Sequence, residues 1–548
     1  MQESSAAPIA RSAVDLRTVS LARRLAVDYT HDFEALRPFY AGNPADPAAW
    51  RETIGRVHAR ARDRARLVAT LEAQLARRAA PPAARAAAAR LSEPETVAVV
   101  TGQQAGLFGG PLYTLLKALT AVKLAERTQA ETGTPAVAVF WIDAEDHDWD
   151  EVATASVLDA DLRLRRVTLP RPPGAGELPV ASVSLDGRIT DAIAELRDAL
   201  PATEFTGELI DDLARAYEPG VGMAEAFGRW IERWLGHLGL VVFDAADAAA
   251  KPLAAPVFER ELLDPGRTAR LAAEAGAALE AAGYHAQVST HPEAVALFRL
   301  DPGRHPIRRV GAQLVSGETT YAAADLAREA VAHPERFSPN VLLRPLVQDT
   351  IFPTVCYVSG PSELAYLGQL REVYAAFDLP MPLVAPRVTA TLLDSASTRF
   401  LAKYGVPFDA LQPQDEAWLN RVLESQLPPA VEHSLHEAGR AVQERLADVI
   451  ASVPAIDPTL EGAARSTLGR MEHDLRTLHA KVIHAAKRRD ETLRRQFTRA
   501  RALAFPGGHL QEREVTFIAF LNRYGPALVD LLGQDLPLEA GQHWVFTM

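Results

Sequence analysis

Residues 96–143 constrain the fold more than any other stretch. "TVAVVTG" (96–102) is a β-branched run closed by glycine, with the length and composition of a buried strand. A helical pattern over 111–127 follows, and then "AVAVFWID" (136–143), a second strand of the same kind. Two strands joined by a helical crossover run parallel, and a parallel sheet is covered by helices on its faces. The same signal returns at "GLVVFDA" (239–245), at "PTVCYVSG" (353–360) with a helix over 361–377, and at "MPLVAPR" (381–387). The expected fold is therefore α/β, a doubly wound parallel sheet with two insertions.

A chain of 548 residues is too long for one ordinary domain. The expected organisation has seven parts. The first half of the core with N-terminal helices spans 1–160, and the first insertion spans 161–235. A core strand lies in 236–250, the second insertion in 251–335, and the second half of the core in 336–412. A coiled coil covers 413–504, and a segment packing back on the core covers 505–548. In the first insertion, "LRLRRVTLP" (162–170) and "LPVASVSL" (178–185) read as a hairpin. In the second, "LFRLDPGRHPIRRV" (297–310) does too.

Residues 427–452 and 459–503 read as two long helices separated by "VPAIDPTL". In the second, Leu468, Met471, Leu475, Leu478, Val482 and Ala485 recur three and four apart, the spacing of a coiled-coil seam. The first offers Leu435, Ala438, Val442 and Val449 at compatible spacing, which predicts an antiparallel hairpin. The second helix outruns its partner, which predicts a homodimer through these helices. The same helix carries "KRRDETLRRQFTRARA" (487–502), read either as a solvated face or as an anion contact. Lys487, Arg488, Arg494 and Arg495 are its candidate nucleotide ligands.

The net charge of −12 and pI of 5.7 argue against a nucleic-acid partner. One cysteine rules out a disulfide framework and suggests a reducing compartment. The N-terminus lacks a signal-peptide pattern, and no apolar run is long enough to span a bilayer, so a cytoplasmic protein without a membrane partner is expected. Cys356, inside a strand, reads as a core thiol.

The loop "TGQQAGLFGGPLYTLLKA" (101–118) is neither a Walker A loop nor a dinucleotide fingerprint. Gly110 reads as a helix N-cap and Pro111 as the first helical residue. Such a start points free amides at the carboxyl edge of the sheet, where open α/β folds bind ligands. A tight turn with glycines for geometry is the competing reading. Gln103, Gln104, Gly109, Gly110, Tyr113 and Lys117 are the candidates here. A second Gly-Pro helix start adds Gly360, Glu363 and Tyr366, and the Pro-initiated stretch upstream adds Asn340, Arg344 and Gln348. After the second strand, "FWIDAEDHDWDE" (140–151) crowds Asp143, Glu145, Asp146, His147, Asp148, Asp150 and Glu151. It reads as a general base, an ammonium site or a metal site. The acidic excess suits an ammonium best, and no metal is expected.

Together with "GYHAQV" (283–288), "SPNVLLRPLVQDTIFPTVCYVSGPSELAYLGQL" (338–370), "MPLVAPR" and "FPGGHLQERE" (505–514), these segments resemble the cysteine-adding enzymes of bacillithiol biosynthesis, the BshC family. The resemblance implies a Rossmann-type core like that of class I aminoacyl-tRNA synthetases, with connective-peptide insertions and a C-terminal coiled coil. It implies a ligase joining L-cysteine to glucosaminyl malate, a nucleotide such as ATP or ADP bound away from the core pocket, and dimers through the coiled coil. On that reading Arg344 and Arg387 hold malate carboxylates and the acidic loop, Asp146 included, holds the cysteine ammonium. His147 is the expected base, with Glu145 and Asp148 next. Neither synthetase ATP motif is present: "GPLYTLLK" and "PRVTATLLDS" stand where they would be. A non-catalytic nucleotide-binding scaffold is the alternative reading, and a tRNA-linked enzyme a third.

Overall fold

The computed structural model describes residues 9–19, 23–301, 303–425, 429–489 and 491–548. The chain divides into two compact units. The first comprises Met1–Thr391 and Gln511–Phe546, and the second Leu392–Leu510 and Thr547–Met548.

The first unit is built on a five-stranded sheet. We label its strands β1 (Val97–Gln104), β2 (Ala136–Asp143), β3 (Val241–Asp244), β4 (Thr354–Ser359) and β5 (Leu383–Pro386). Their order across the sheet is β5-β4-β1-β2-β3, and every neighbouring pair is parallel. β1 and β2 are buried along almost their whole length, as continuous apolar runs in a two-faced parallel sheet must be. The chain steps outward from β1 through β2 to β3, then returns to the far side of β1 for β4 and β5. Strand order therefore reverses between β1 and β4, and the loops leaving these two strands diverge to open a crevice at their carboxyl ends.

Helix α1 (Leu112–Thr132) makes the crossover from β1 to β2. Helices α2 (Arg344–Ile351) and α3 (Pro361–Leu367) flank β4. The expected helix over 361–377 is two helices, α3 and Arg371–Ala376, with Gly368 closing the first.

Both insertions are present between the expected strands. In the first, the hairpin differs from the one anticipated. Leu164–Thr168 pairs antiparallel with the upstream strand Thr154–Leu158, not with 178–185, which forms a short turn at Val180–Ser182. Asp159 closes the pairing from behind, accepting the amides of Asp161 and Arg163 on its carboxylate. Four prolines across 170–179 remove the donors that the anticipated pairing would need. In the second insertion, Ala294–Asp301 and Gly303–Val310 form the expected antiparallel pair, within a five-stranded sheet.

The second unit contains α4 (Pro429–Ser452) and α5 (Leu460–Arg489), followed by Glu491–Ala504. Gln443 bonds to Glu472 and Glu432 sits 3.3 Å from His479. Rising numbers on one helix meet falling numbers on the other, so the pair is antiparallel. The anticipated seam splits into two faces. Leu435, Ala438 and Val442 on α4 and Leu468, Leu475 and Val482 on α5 are half-buried. Met471 and Leu478 are exposed, as are Val431 and Val449 on α4.

No helix among the described residues is long and apolar enough to cross a membrane.

Candidate active site

A cavity of about 420 Å3 occupies the crevice between β1 and β4. Five cationic side chains (Lys117, Arg304, Arg344, Arg387 and Arg513) and five carboxylates (Asp143, Glu145, Asp146, Glu151 and Glu363) line it, with Gln103, Gln104, Tyr113, Tyr357 and Tyr366. Burying so many charges is unfavourable unless each is paired and hydrogen-bonded, and most of them are.

The centre of the arrangement is Lys117, a buried residue on α1. Its ammonium donates to the carbonyl of Gly102 at 2.5 Å, to Oε1 of Gln103 at 3.2 Å and to Glu363. Three acceptors use all three of its donors. Glu363 also accepts the hydroxyl of Tyr357 at 2.6 Å and the amide of Gly360 at 2.7 Å. Burial pushes the Glu363 carboxyl up, but Lys117 and these donors more than reverse it, so the group lies below the usual carboxylate range.

Arg344, at the start of α2, donates to the Tyr366 hydroxyl at 2.8 Å and to Oε1 of Gln348 at 3.2 Å. Its Nε lies 3.6 Å from Oδ2 of Asp143 at the end of β2. Arg387, just beyond β5, makes a two-pronged bond to Glu512 at 2.7 and 2.9 Å. Both partners are almost wholly buried, and the guanidinium lies over the Tyr113 ring. Arg304, in the hairpin of the second insertion, donates to Asp146 at 3.0 Å, to Ser338 Oγ and to the Pro339 carbonyl. Glu145 is buried against Lys251, whose ammonium also donates to the Phe337 carbonyl at 3.0 Å. Burial raises the Glu145 carboxyl and Lys251 counters it. Gln104 donates to Glu151 at 2.6 Å.

The structure thus brings together at one cavity fourteen of the anticipated residues: Gln103, Gln104, Tyr113, Lys117, Asp143, Glu145, Asp146, Glu151, Asn340, Arg344, Gly360, Glu363, Tyr366 and Arg387. Others lie elsewhere. Gln348 is buried behind Arg344, bridging it to Asp349, and does not line the cavity. Gly109 and Gly110 are not cavity residues either. Both have positive φ, and a Cβ on Gly109 would lie 2.3 Å from the Phe517 ring. Pro111, in extended conformation, is the N-cap rather than Gly110, and α1 begins one residue later than anticipated. Its first amide, on Leu112, donates to the Val515 carbonyl at 2.8 Å. The presumed anion seat is filled by the chain's own segment 515–517. At the second start Gly360 is the N-cap as expected, and Glu363 folds back onto its amide.

His147 and Asp148 do not line the cavity. His147 Nδ1 lies 3.0 Å from Asp146 and its Nε2 3.5 Å from Glu177, with 41% of the side chain exposed. Asp148 is exposed and caps the short helix Trp149–Val152 by accepting the Glu151 amide. Cys356 is fully buried, and burial pushes its thiol up to about 12, so it is no nucleophile. In the second unit, Arg494 is exposed and pairs with Glu416 at 3.1 Å, and Arg495 contacts Thr492. The side chains of Lys487 and Arg488 lie outside the described residues.

Residues singled out by no sequence argument complete the walls: Arg304, Tyr357, Arg513, and behind them Lys251 and Glu512. Arg513 hydrogen-bonds to no other described residue. Its segment, "FPGGHLQERE", carried a signal only through the resemblance. Arg304 sits in a surface-looking hairpin whose reach to the sheet edge no local pattern reveals.

Comparison with known proteins agrees with this architecture. Residues 12–388 match the family described as "Bacillithiol biosynthesis BshC, N-terminal Rossmann-like domain". Residues 390–548 match "Bacillithiol biosynthesis BshC, C-terminal coiled-coil domain". A relative from Salinibacter ruber named "Putative cysteine ligase BshC" is 36% identical over 527 residues, covering 95% of each chain. Relatives of the same name from Solibacter usitatus and Chlorobaculum tepidum are 33% and 34% identical. They cover 84% and 82% of this chain, and 86% and 82% of their own.

Proposed function

The chain belongs to the BshC family of bacillithiol biosynthesis, a family of ligases, and from that premise we propose that it joins the carboxyl of L-cysteine to the amine of glucosaminyl malate. The observation that carries this reading is the mixed-charge cavity at the strand-order reversal. A dicarboxylate and an ammonium are both needed by these substrates, and the cavity offers both signs at fixed positions. Arg513, whose side chain hydrogen-bonds to no other described residue, and Arg344 suit the malate carboxylates. Asp146, on the loop after β2, suits an ammonium. Gln103, Gln104 and Asn340 supply neutral donors and acceptors for sugar hydroxyls. The Lys117–Glu363–Tyr357 group keeps these walls rigid without spending charge on the ligand.

Two further elements belong to this reading. A cytoplasmic setting, where thiols stay reduced, suits a cysteine-handling enzyme with one buried thiol. A homodimer through the exposed apolar face of Met471 and Leu478 suits the coiled-coil hairpin. ATP or ADP is assigned to the basic stretch of the second unit. Of the candidate ligands, Arg494 and Arg495 are described; both are exposed, and Arg494 pairs with Glu416. Thiol profiling of cells lacking the chain tests the reading: glucosaminyl malate should accumulate and bacillithiol disappear. An unchanged thiol pool would overturn it.

A further inference from the structure

The carboxylates of the cavity differ in what they already hold. Glu145 is taken by Lys251, and Asp146 accepts from Arg304 and from the His147 amide. Glu363 accepts three donors, and Glu151 accepts the Gln104 amide. Asp143 is the exception. It is the last residue of β2, and no described residue hydrogen-bonds to its carboxylate. Arg344 is 3.6 Å away, an ion-pair distance but a poor hydrogen bond, and 36% of the side chain is open to the cavity. It is fixed by a central strand, so its carboxylate has a defined position at the crevice floor.

We propose that Asp143 is the general base of the ligation, taking the proton from the acceptor amine as the amide forms; this rests on the cysteine-ligase reading above. The neutral amine of the acceptor attacks the carbonyl of cysteine carrying an activated carboxyl (a mixed anhydride with phosphate). The carbon–nitrogen bond forms, the nitrogen becomes positively charged, and Asp143 Oδ accepts its proton. The bond from carbonyl carbon to the leaving oxygen breaks, and its electron pair departs with the phosphate-type leaving group. Every other carboxylate at the wall already shares its charge with at least one hydrogen-bond donor, which weakens it as a base.

The groups facing Asp143 come from four elements: Arg344 and Tyr366 on the flanking helices, Arg304 on the hairpin, Glu145 and Asp146 on the loop after β2, and Glu363 at the start of α3. Burial raises the Asp143 carboxyl; Arg344 and Arg304 oppose this, while Asp146 and Glu363 add to it. A raised carboxyl is a stronger base when ionised, so turnover should climb as pH rises through its titration.

The test compares wild type, Asp143→Asn and Asp143→Ala with cysteine, glucosaminyl malate and ATP. Asp143→Asn should lower kcat by about 10²–10⁴-fold at near-constant KM and abolish the acid limb of the pH profile. Added formate should restore part of the turnover of Asp143→Ala, which a purely structural role would not allow. Wild-type turnover in Asp143→Asn overturns the proposal. So does a raised KM with unchanged kcat, which would make Asp143 an ammonium holder, and so does a greater loss from His147→Ala. No product from the wild type overturns the ligase reading itself, and the base with it.

Discussion

The two units hold charge in opposite ways. Around the cavity, Lys117–Glu363, Lys251–Glu145 and Arg387–Glu512 are ion pairs with at least one nearly water-free partner, each further tied by neutral donors and acceptors. On the helical hairpin, pairs such as Arg465–Glu461 and Arg476–Glu472 join residues one turn apart and are open to water. The first kind fixes a side chain at a cost in desolvation and is strongly position-specific. The second contributes little and can be exchanged freely. The apolar residues differ correspondingly. Around the sheet they are enclosed on every side, while the hairpin covers one stripe and leaves Met471 and Leu478 to solvent. The contrast separates a preorganised binding site from a surface with room for another copy of the chain.

Breaking the buried Arg387–Glu512 pair should give the largest effect. Arg387→Met leaves a carboxylate uncompensated in the interior and should cost about 3–5 kcal/mol in urea denaturation. Adding Glu512→Gln should recover much of that loss. A single variant as stable as wild type would show that the pair does not anchor this wall.

His543 sharpens the same point through pH. It is fully buried, its ring nitrogens lie 2.9 and 3.1 Å from the hydroxyls of Thr391 and Thr389, and burial depresses it to about 4. The folded state therefore binds fewer protons than the unfolded state, where a histidine titrates near 6.5. Stability from this group is complete above pH 6.5 and is lost as pH falls toward 4, by about 3 kcal/mol. His543→Gln should remove that component from the stability–pH curve. Curves of identical shape for both proteins would refute it.

On the hairpin, Leu478→Arg should leave the helical content intact and convert a dimer to a monomer by light scattering. Leu475→Asp, on the half-buried face, should instead lower helicity. A monomeric wild type would contradict the assembly. The smallest effect should come from Arg465→Ala, which removes an exposed pair worth at most about 0.5 kcal/mol. A loss beyond about 1 kcal/mol there would erase the distinction between the two regions.

The parallel sheet was legible because buried strands bounded by glycine, with a helix between, have few other interpretations. The crevice followed from it, since loops after β1, β2 and β4 must meet at one edge. What sequence could not supply was the direction of each side chain. His147 and Asp148 sit in the same acidic run as Asp143, yet the turn after β2 carries them out of the cavity wall. Gly109 and Gly110 looked like a ligand cradle, but segment 515–517, some 400 residues away in the chain, fills that space. Arg304 and Arg513 arrive from equally remote segments. Local pattern reports a residue's element, and only tertiary packing reports what it faces.

The central claim is that the crevice between β1 and β4 binds the substrates of ligation. Arg513 gives the most direct test, because it lines the crevice, is exposed and makes no side-chain hydrogen bond or close ion pair among the described residues. Formation of the cysteinyl amide from cysteine, glucosaminyl malate and ATP should be followed by mass spectrometry for wild type, Arg513→Ala and Arg465→Ala. Loss of one charge-assisted bond, about 1.5 kcal/mol, predicts a roughly tenfold higher KM for glucosaminyl malate in Arg513→Ala, with Arg465→Ala unchanged. Equal KM values in all three proteins would contradict the claim.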